Sequence, residues 1–178
     1  MITSTASPHL RTVQLPDPTA FLDRLFHALE QDGIAVEGLL LDHICYRVES
    51  MERYTELKAL LSKIGTCLGE HLIGGRPIAT YRLNEPYRYR QRSIDVVELP
   101  APKNGSPYPE GWEHAEFVVH EDPQVFAARY PDLNWDFSGA LKTDNADVRL
   151  GYGGISVKFH RRSLAEVIEG ERGAPTID

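Results

Sequence analysis

The hydrophobic and polar positions of this chain alternate between helical and strand-like spacing, beginning with a helix predicted over residues 17–33. Asp17 can cap this helix, Pro18 suits its first turn, and apolar residues recur every three or four positions up to Gly33. Residues 1–16 are polar and show no periodicity, which predicts a flexible arm. The regular part of the chain is therefore expected to start near residue 17.

A first module of strand, helix and three strands is predicted over residues 41–99. Its parts are a strand at 43–48, a helix from Ser50 to about Ile64, and strands at 68–73, 78–83 and 94–99. The segment 100–112 is rich in proline and glycine, cannot continue a strand ladder, and is expected to be a linker.

The same order of elements follows in a second module, residues 113–160. Its parts are a strand at 114–119, a short helix from Asp122-Pro123, and strand-like pieces at 135–137, 147–150 and 155–160. A last helix is predicted over 163–170, where Ser163 and Glu166 have the spacing of a capping box. We expect an α+β fold of two tandem modules in one domain, residues 17–178.

Two short stretches in corresponding places look like copies of one another, DHICYRV at 42–48 and EHAEFVV at 113–119. Each places a histidine behind an acid at the head of an alternating, strand-like run. A single histidine on a strand is more often a hydrogen-bonded structural residue than a ligand. The matched placement in two modules nevertheless favours His43 and His114 as metal ligands.

Composition narrows the classes of function. The 178 residues are 42% hydrophobic and carry a net charge of −7, which disfavours nucleic acid and anionic membranes as partners. No run approaches the ~20 apolar residues of a membrane span, and the N-terminus lacks the pattern of a signal peptide, so we expect a soluble, cytoplasmic protein. Cys45 and Cys67 form no CxxC motif and are expected to be reduced thiols.

A set of longer motifs resembles the YecM family, within the vicinal oxygen chelate superfamily that also includes glyoxalase, extradiol dioxygenases and bleomycin-resistance proteins. The motifs are LDHICYRV at 41–48, GRPI at 75–78, VELPAPK at 97–103, GWEHAEFV at 111–118 and VKFH at 157–160. The resemblance implies two βαβββ modules that form a cupped mixed sheet with an extra N-terminal helix. It also implies a cavity between two four-stranded sheets.

Metal ligands are implied by the same resemblance. In that superfamily each module supplies ligands from the start of its first strand and the end of its last, which lie side by side and antiparallel. By position these residues are His43 and Glu98, then His114 and His160. Many members end the second module with a carboxylate, and Glu116 is a candidate replacement; it could also orient a histidine or act as a general base. These ligand types suit Zn, Fe, Ni, Co or Mn.

Four basic residues are candidates for holding an anionic substrate: Arg47, Arg76, Arg82 and Lys158. Guanidinium groups grip carboxylates through two hydrogen bonds, although each of these residues taken alone is more often an ordinary surface charge. The first hypothesis is therefore a metal-dependent isomerase, lyase or dioxygenase that acts on a small anion with two neighbouring oxygens.

Two other classes of function remain open. The second hypothesis is a non-catalytic binder of the bleomycin-resistance kind, which would use the same concave surface to sequester a ligand. The third is a protein-interaction module, which requires Tyr87, Tyr89 and Tyr108 to form an exposed patch with no cavity beneath it. His71 precedes an apolar pair and could approach the pocket, although its predicted place is the surface.

Overall fold

The computed structural model describes residues 14–105 and 107–173, with the backbone alone for 171–173. Its elements in chain order are α1 Thr19–Gln31, β1 Leu40–Arg47, α2 Met51–Ile64, β2 Gly65–Ile73, β3 Arg76–Tyr89, β4 Arg92–Pro100, β5 Gly111–Val118, α3 Pro123–Ala127, β6 Asp147–Tyr152, β7 Ile155–His160 and α4 Leu164–Gly173. Most of the predicted arm lies outside the described residues. Of its described part, Leu15 is buried in the core.

One mixed sheet contains all seven strands, in the order β2-β3-β4-β1-β5-β7-β6. The predicted α+β fold with a cupped mixed sheet is confirmed, whereas the expectation of two four-stranded sheets was wrong. The second module also has one strand fewer than predicted, because the piece at 135–137 forms only a single antiparallel bridge, between Asp136 and Arg149. The linker is shorter than expected as well, since β4 runs to Pro100 and β5 begins at Gly111.

The two modules meet at the centre of the sheet, where β1 and β5 pair antiparallel. Within each module the first strand pairs with the last strand in parallel, β1 with β4 and β5 with β7. The predicted antiparallel arrangement of these strands was wrong. The shared pattern means that each residue of β1 and β4 has a counterpart in β5 and β7.

One face of the sheet is apolar and covered by α1, α2 and α3. The alternate residues Ile44 of β1 and Phe117 of β5 are fully buried there. The predicted apolar stripe of α1 is confirmed as the buried side of the helix: Phe21, Leu22, Leu25, Phe26 and Leu29. Each large apolar side chain buried in this way stabilises the fold by about 1.5–3 kcal/mol.

The opposite face of the sheet carries polar side chains and is covered in part by α4. This helix contacts the sheet through a small apolar cluster that includes Ala165, Ile168, Leu68 and Val96. The predicted capping box is present: Ser163 Oγ accepts a hydrogen bond from the Glu166 amide, and a Glu166 carboxylate oxygen accepts one from the Ser163 amide. A cavity lies between this helix and the sheet.

Most of the chain between the predicted strands 78–83 and 94–99 is itself strand, because β3 continues to Tyr89 and turns at Arg90, which has a positive φ of 52°. Tyr89 is buried and Tyr87 and Tyr108 are half-buried, so they do not form the exposed patch that an interaction module requires.

In the described part of the chain, no helix has the length and apolar character to span a membrane.

Candidate metal centre

Two β-bulges shape the polar face at the centre of the sheet. In the β1–β5 ladder Leu41 pairs with Phe117 and His43 with Glu116, so Asp42 is an extra residue in β1. Farther along the same ladder the register shifts once more, and Glu113 is the extra residue in β5. A bulge re-aims side chains that would otherwise alternate between faces. Each bulged acid can therefore reach the histidine that follows it.

Each of these acids binds the following imidazole. Asp42 Oδ2 accepts a hydrogen bond from His43 Nδ1 at 2.8 Å, and Glu113 accepts one from His114 Nδ1. An ionised carboxylate only accepts, so Nδ1 carries the proton in both rings and Nε2 is the atom presented to the cavity. This carboxylate–histidine arrangement is the one that fixes ring orientation in many metal sites.

Four ligand atoms converge on one place, from His43, Glu98, His114 and Glu116, all within 4.8 Å of one another. His114 Nε2 lies 3.1 Å from Glu116 Oε1 and 3.4 Å from Glu98 Oε2. His43 Nε2 lies 3.5 Å from the same Glu116 oxygen. This nitrogen is buried, and within the described residues it has no hydrogen-bond partner.

Burial disfavours the charged form of each group in the cluster, but close opposite charges outweigh it. Burial lowers the pKa of His43, whereas Glu116 and Asp42 raise it, to a net value of about 10. Burial raises the pKa of Glu98, whereas His114 lowers it to about 2. Without a metal ion the carboxylates are thus balanced by protonated imidazoles, and an ion would compete with those protons.

Lys158 occupies the place in module two that Glu98 occupies in module one. Glu98 pairs in register with Cys45, two residues after His43, and Lys158 pairs with Glu116, two residues after His114. Its Nζ lies 2.7 Å from Glu116 Oε1 and 3.5 Å from His114 Nε2. Burial lowers the pKa of Lys158, but Glu116 raises it above its ordinary value.

His160 lies beside the four-residue cluster rather than in it. Asn145 Nδ2 donates to its Nδ1 at 2.8 Å, and its Nε2 lies 3.4 Å from Asp42 Oδ2. Asp42 Oδ2 also accepts a hydrogen bond from the Leu164 amide at the start of α4. The place of His160 therefore suits a role in holding Asp42 and His43. The fourth ligand atom of the cluster, which the resemblance assigned to His160, comes from Glu116.

The cavity in front of the cluster has a volume of about 690 Å³ and is lined by Arg47, Arg76 and Lys158 among other residues. Arg47 is paired with Glu113 at 3.3 Å. Arg82 was predicted to join them, but it points away: its side chain is 42% exposed and pairs with Asp95 and Glu169.

Several residues of the site were missed by sequence reasoning. Asp42 and Glu113 were seen as acids before histidines but given no role, although two adjacent polar residues in an alternating strand are a signal for a bulge. Arg149, which pairs with Glu113 at 2.9 Å, and Asn145, which binds His160, had no such signal. His71 was expected at the surface and lines the cavity.

Comparison with known proteins supports the motif assignment. The family model described as YecM protein matches residues 12–152. Protein YecM of Escherichia coli is 29% identical over 180 aligned residues, which cover 90% of this chain and 96% of that protein. An uncharacterised protein of Haemophilus influenzae is 34% identical over 104 residues, or 58% of this chain and 54% of that protein.

A solved structure also resembles this fold. The protein described as "Structural Genomics, Protein EC4020" has a TM-score of 0.70 and 29% sequence identity, over 85% of this chain and 90% of that one. The four clustered residues lie inside the range matched by the family model, and Lys158 and His160 lie beyond it.

Proposed function

The chain belongs to the YecM family, and from this premise we propose that it binds one divalent metal ion through His43, Glu98, His114 and Glu116. With this ion the protein would be a metal-dependent isomerase, lyase or dioxygenase that acts on a small anion with adjacent oxygens. The observation that carries the proposal is the convergence of four ligand atoms within 4.8 Å on the buried floor of a cavity.

The donor set fits such an ion. Two imidazole nitrogens and two carboxylate oxygens are the ligands that Zn, Fe, Ni, Co and Mn accept. The buried Nε2 of His43 lacks a hydrogen-bond partner among the described residues, and an unpaired buried nitrogen is costly unless something binds it. Metal coordination would satisfy this atom and the charges of Glu98 and Glu116 together.

A divalent ion bound by these four ligands would polarise the oxygens of a substrate as a Lewis acid. The protein's own residues would prepare the site in two ways. Asp42 and Glu113 hold the two imidazoles so that Nε2 faces the cavity. Arg47 and Arg76 lie on the cavity wall, where their guanidinium groups suit the binding of an anion.

The size and depth of the cavity support a small-molecule ligand. Its volume of about 690 Å³ lies within the 300–1,000 Å³ that is usual for such sites. Leu164 and Ile168 of α4 form an apolar part of the cavity wall, which would limit the access of water to the ligand atoms. Exclusion of water strengthens the electrostatic interactions inside a site.

A second candidate function is a non-catalytic binder of small ligands. The observation that favours it is the contact between Lys158 Nζ and Glu116 Oε1 at 2.7 Å. An ammonium group that neutralises this carboxylate can stand in for a metal ion, so the cavity would bind ligands without metal. The two candidates differ in whether the purified protein carries stoichiometric metal.

Elemental analysis of untagged protein tests the proposal. We expect about one divalent ion per chain, and its loss when His43→Ala, Glu98→Ala or His114→Ala removes one ligand. The matched control is His27→Ala, which removes an exposed histidine of α1 and should leave the metal content unchanged. Metal-free wild-type protein that also fails to bind added Zn²⁺ or Co²⁺ would overturn the proposal in favour of the second candidate.

A further inference from the structure

Lys158 poses a problem of charge for a metal site. Its ammonium group is 2.7 Å from Glu116 Oε1 and 3.5 Å from His114 Nε2, two of the four atoms proposed to bind the ion. Its side chain is 21% exposed, so water screens it only in part. A buried ammonium needs a paired negative charge, and Glu116 supplies it here.

A metal ion would compete with Lys158 for the same carboxylate. Glu98 and Glu116 together carry two negative charges, which a divalent ion alone would neutralise. The ammonium then stands beside the ion as an uncompensated positive charge, and two such charges repel strongly in a partly buried site. Metal binding is therefore opposed unless another negative charge enters.

The remaining charges of the cavity do not supply it. Asp42 binds the His43 ring, and Glu113 binds the His114 ring together with Arg47 and Arg149. Both acids lie on the Nδ1 side of their imidazoles, away from the Nε2 atoms that would bind the ion, and Glu113 is already paired with the two arginines. The surplus beside the ion is thus one positive charge, which calls for an anion that enters from the cavity.

Resting on the proposed metal site, we infer that a small carboxylate-type anion bridges the metal ion and the Lys158 ammonium, so that metal and anion bind cooperatively. The position of the lysine supports this inference. Lys158 is the register counterpart of Glu98. Its ammonium group reaches the ligand cluster from β7 of the second module, as Glu98 does from β4 of the first. By linkage, the anion must raise metal affinity by the same factor that the metal raises anion affinity.

The test measures the affinity of chelator-treated protein for Co²⁺, by calorimetry and by the visible absorption of the bound ion. Each titration is done with no added ligand, with glycolate, or with its neutral isostere glycolamide, and is corrected for binding of Co²⁺ by free glycolate. We expect glycolate to raise the Co²⁺ affinity of the wild-type protein at least tenfold, and glycolamide to raise it less than threefold.

Variants of the lysine separate its charge from its bulk. Lys158→Met should bind Co²⁺ more tightly than wild type without an anion, and should lose most of the difference between glycolate and glycolamide. Lys158→Arg keeps the charge and should retain that difference. The matched control is Lys142→Met, because Lys142 also lines the cavity but pairs with Asp147, and it should behave like wild type.

The outcomes distinguish this inference from the proposal on which it rests. Equal effects of glycolate and glycolamide on wild-type protein would overturn the anion bridge and leave the metal site standing. An anion effect that survives in Lys158→Met would also overturn it. Failure of Co²⁺ to bind wild type, Lys158→Met and Lys158→Arg under every condition would remove the metal site and the inference together. Circular dichroism of each variant verifies that it is folded.

Discussion

The two modules share a backbone plan but distribute charge differently. In both, a bulged acid precedes the central histidine and binds its Nδ1. Two residues farther on, module one has the neutral Cys45 and module two has Glu116. In the paired last strand the charges are reversed, with Glu98 in module one and Lys158 in module two.

This comparison separates what the duplicated fold fixes from what it leaves free. The pairing register brings together three inward positions in each module: the histidine, the residue two positions farther on, and the partner of that residue in the last strand. Each module contributes one imidazole and one carboxylate to a common point. The strand that carries the carboxylate is not fixed, since β4 supplies Glu98 and β5 supplies Glu116. The last-strand position of module two is therefore free to carry a different chemistry, which here is the ammonium of Lys158.

The largest expected effect comes from removing the carboxylate of module two and then restoring one at the position that corresponds to Glu98. Glu116→Ser removes a proposed ligand and leaves Lys158 without its ion partner, so we expect Co²⁺ affinity to fall by at least about 100-fold. Adding Lys158→Glu places a carboxylate at the counterpart of Glu98, as in module one. Affinity should return to within about tenfold of wild type, measured by calorimetry.

A matched double variant controls for net charge in this experiment. Glu116→Ser with Lys103→Glu makes the same change of charge at an exposed position of the linker, and should stay as weak as Glu116→Ser alone. If Lys158→Glu gives no more recovery than Lys103→Glu, the two last strands are not equivalent with respect to the ligand point, and the comparison of modules is wrong.

The bulged acids should have a smaller effect, of similar size in both modules. Asp42→Asn and Glu113→Gln remove the charge that fixes each ring, which typically lowers metal affinity about 10–100-fold. Competition with a chelating dye measures the loss. Asp95→Asn is the control, because Asp95 is a half-buried acid of β4 that pairs with Arg82, outside the ligand cluster. A loss in one module with none in the other would show that the bulges are not equivalent.

Local sequence patterns predicted most of the fold. The apolar stripe of α1, the capping box at Ser163 and the strand at 155–160 all follow from periodicity and short-range hydrogen bonding. Those patterns carry little information on which strands are neighbours. One sheet instead of two, and parallel instead of antiparallel pairs within modules, are therefore the features that sequence reasoning got wrong.

In the candidate site, too, local patterns predict one part and the pairing of strands determines the other. The acid–histidine pairs are visible in the sequence, and they led to His43 and His114. The choice between residues 158 and 160 depends on register, because both lie on the same face of β7. The pairing of Glu116 with Lys158 decides that the counterpart of Glu98 is Lys158, and His160 falls beside Asp42. Register is a tertiary property, so no local pattern could give it.

The smallest expected effect is on the pH dependence of stability in the metal-free protein. The pKa of His43 is raised to about 10, so its stabilising contribution is complete below its ordinary value of 6.5 and is lost as the pH rises toward 10. The pKa values of Glu98 and Glu113 are lowered to about 2, so their contributions are lost as the pH falls from 4.5 toward 2. These groups together favour greatest stability between pH 4.5 and 6.5.

Thermal unfolding of chelator-treated protein checks this expectation. The midpoint should fall by about 5 °C between pH 6.5 and pH 9.5, which corresponds to roughly 1–3 kcal/mol for a chain of this size. His43→Gln and His114→Gln should each flatten the decline, because each removes one imidazolium from the pair of modules. His27→Gln, at an exposed position, should not. A midpoint that rises over this range in the metal-free protein would mean that the imidazoles are not held protonated by the neighbouring carboxylates.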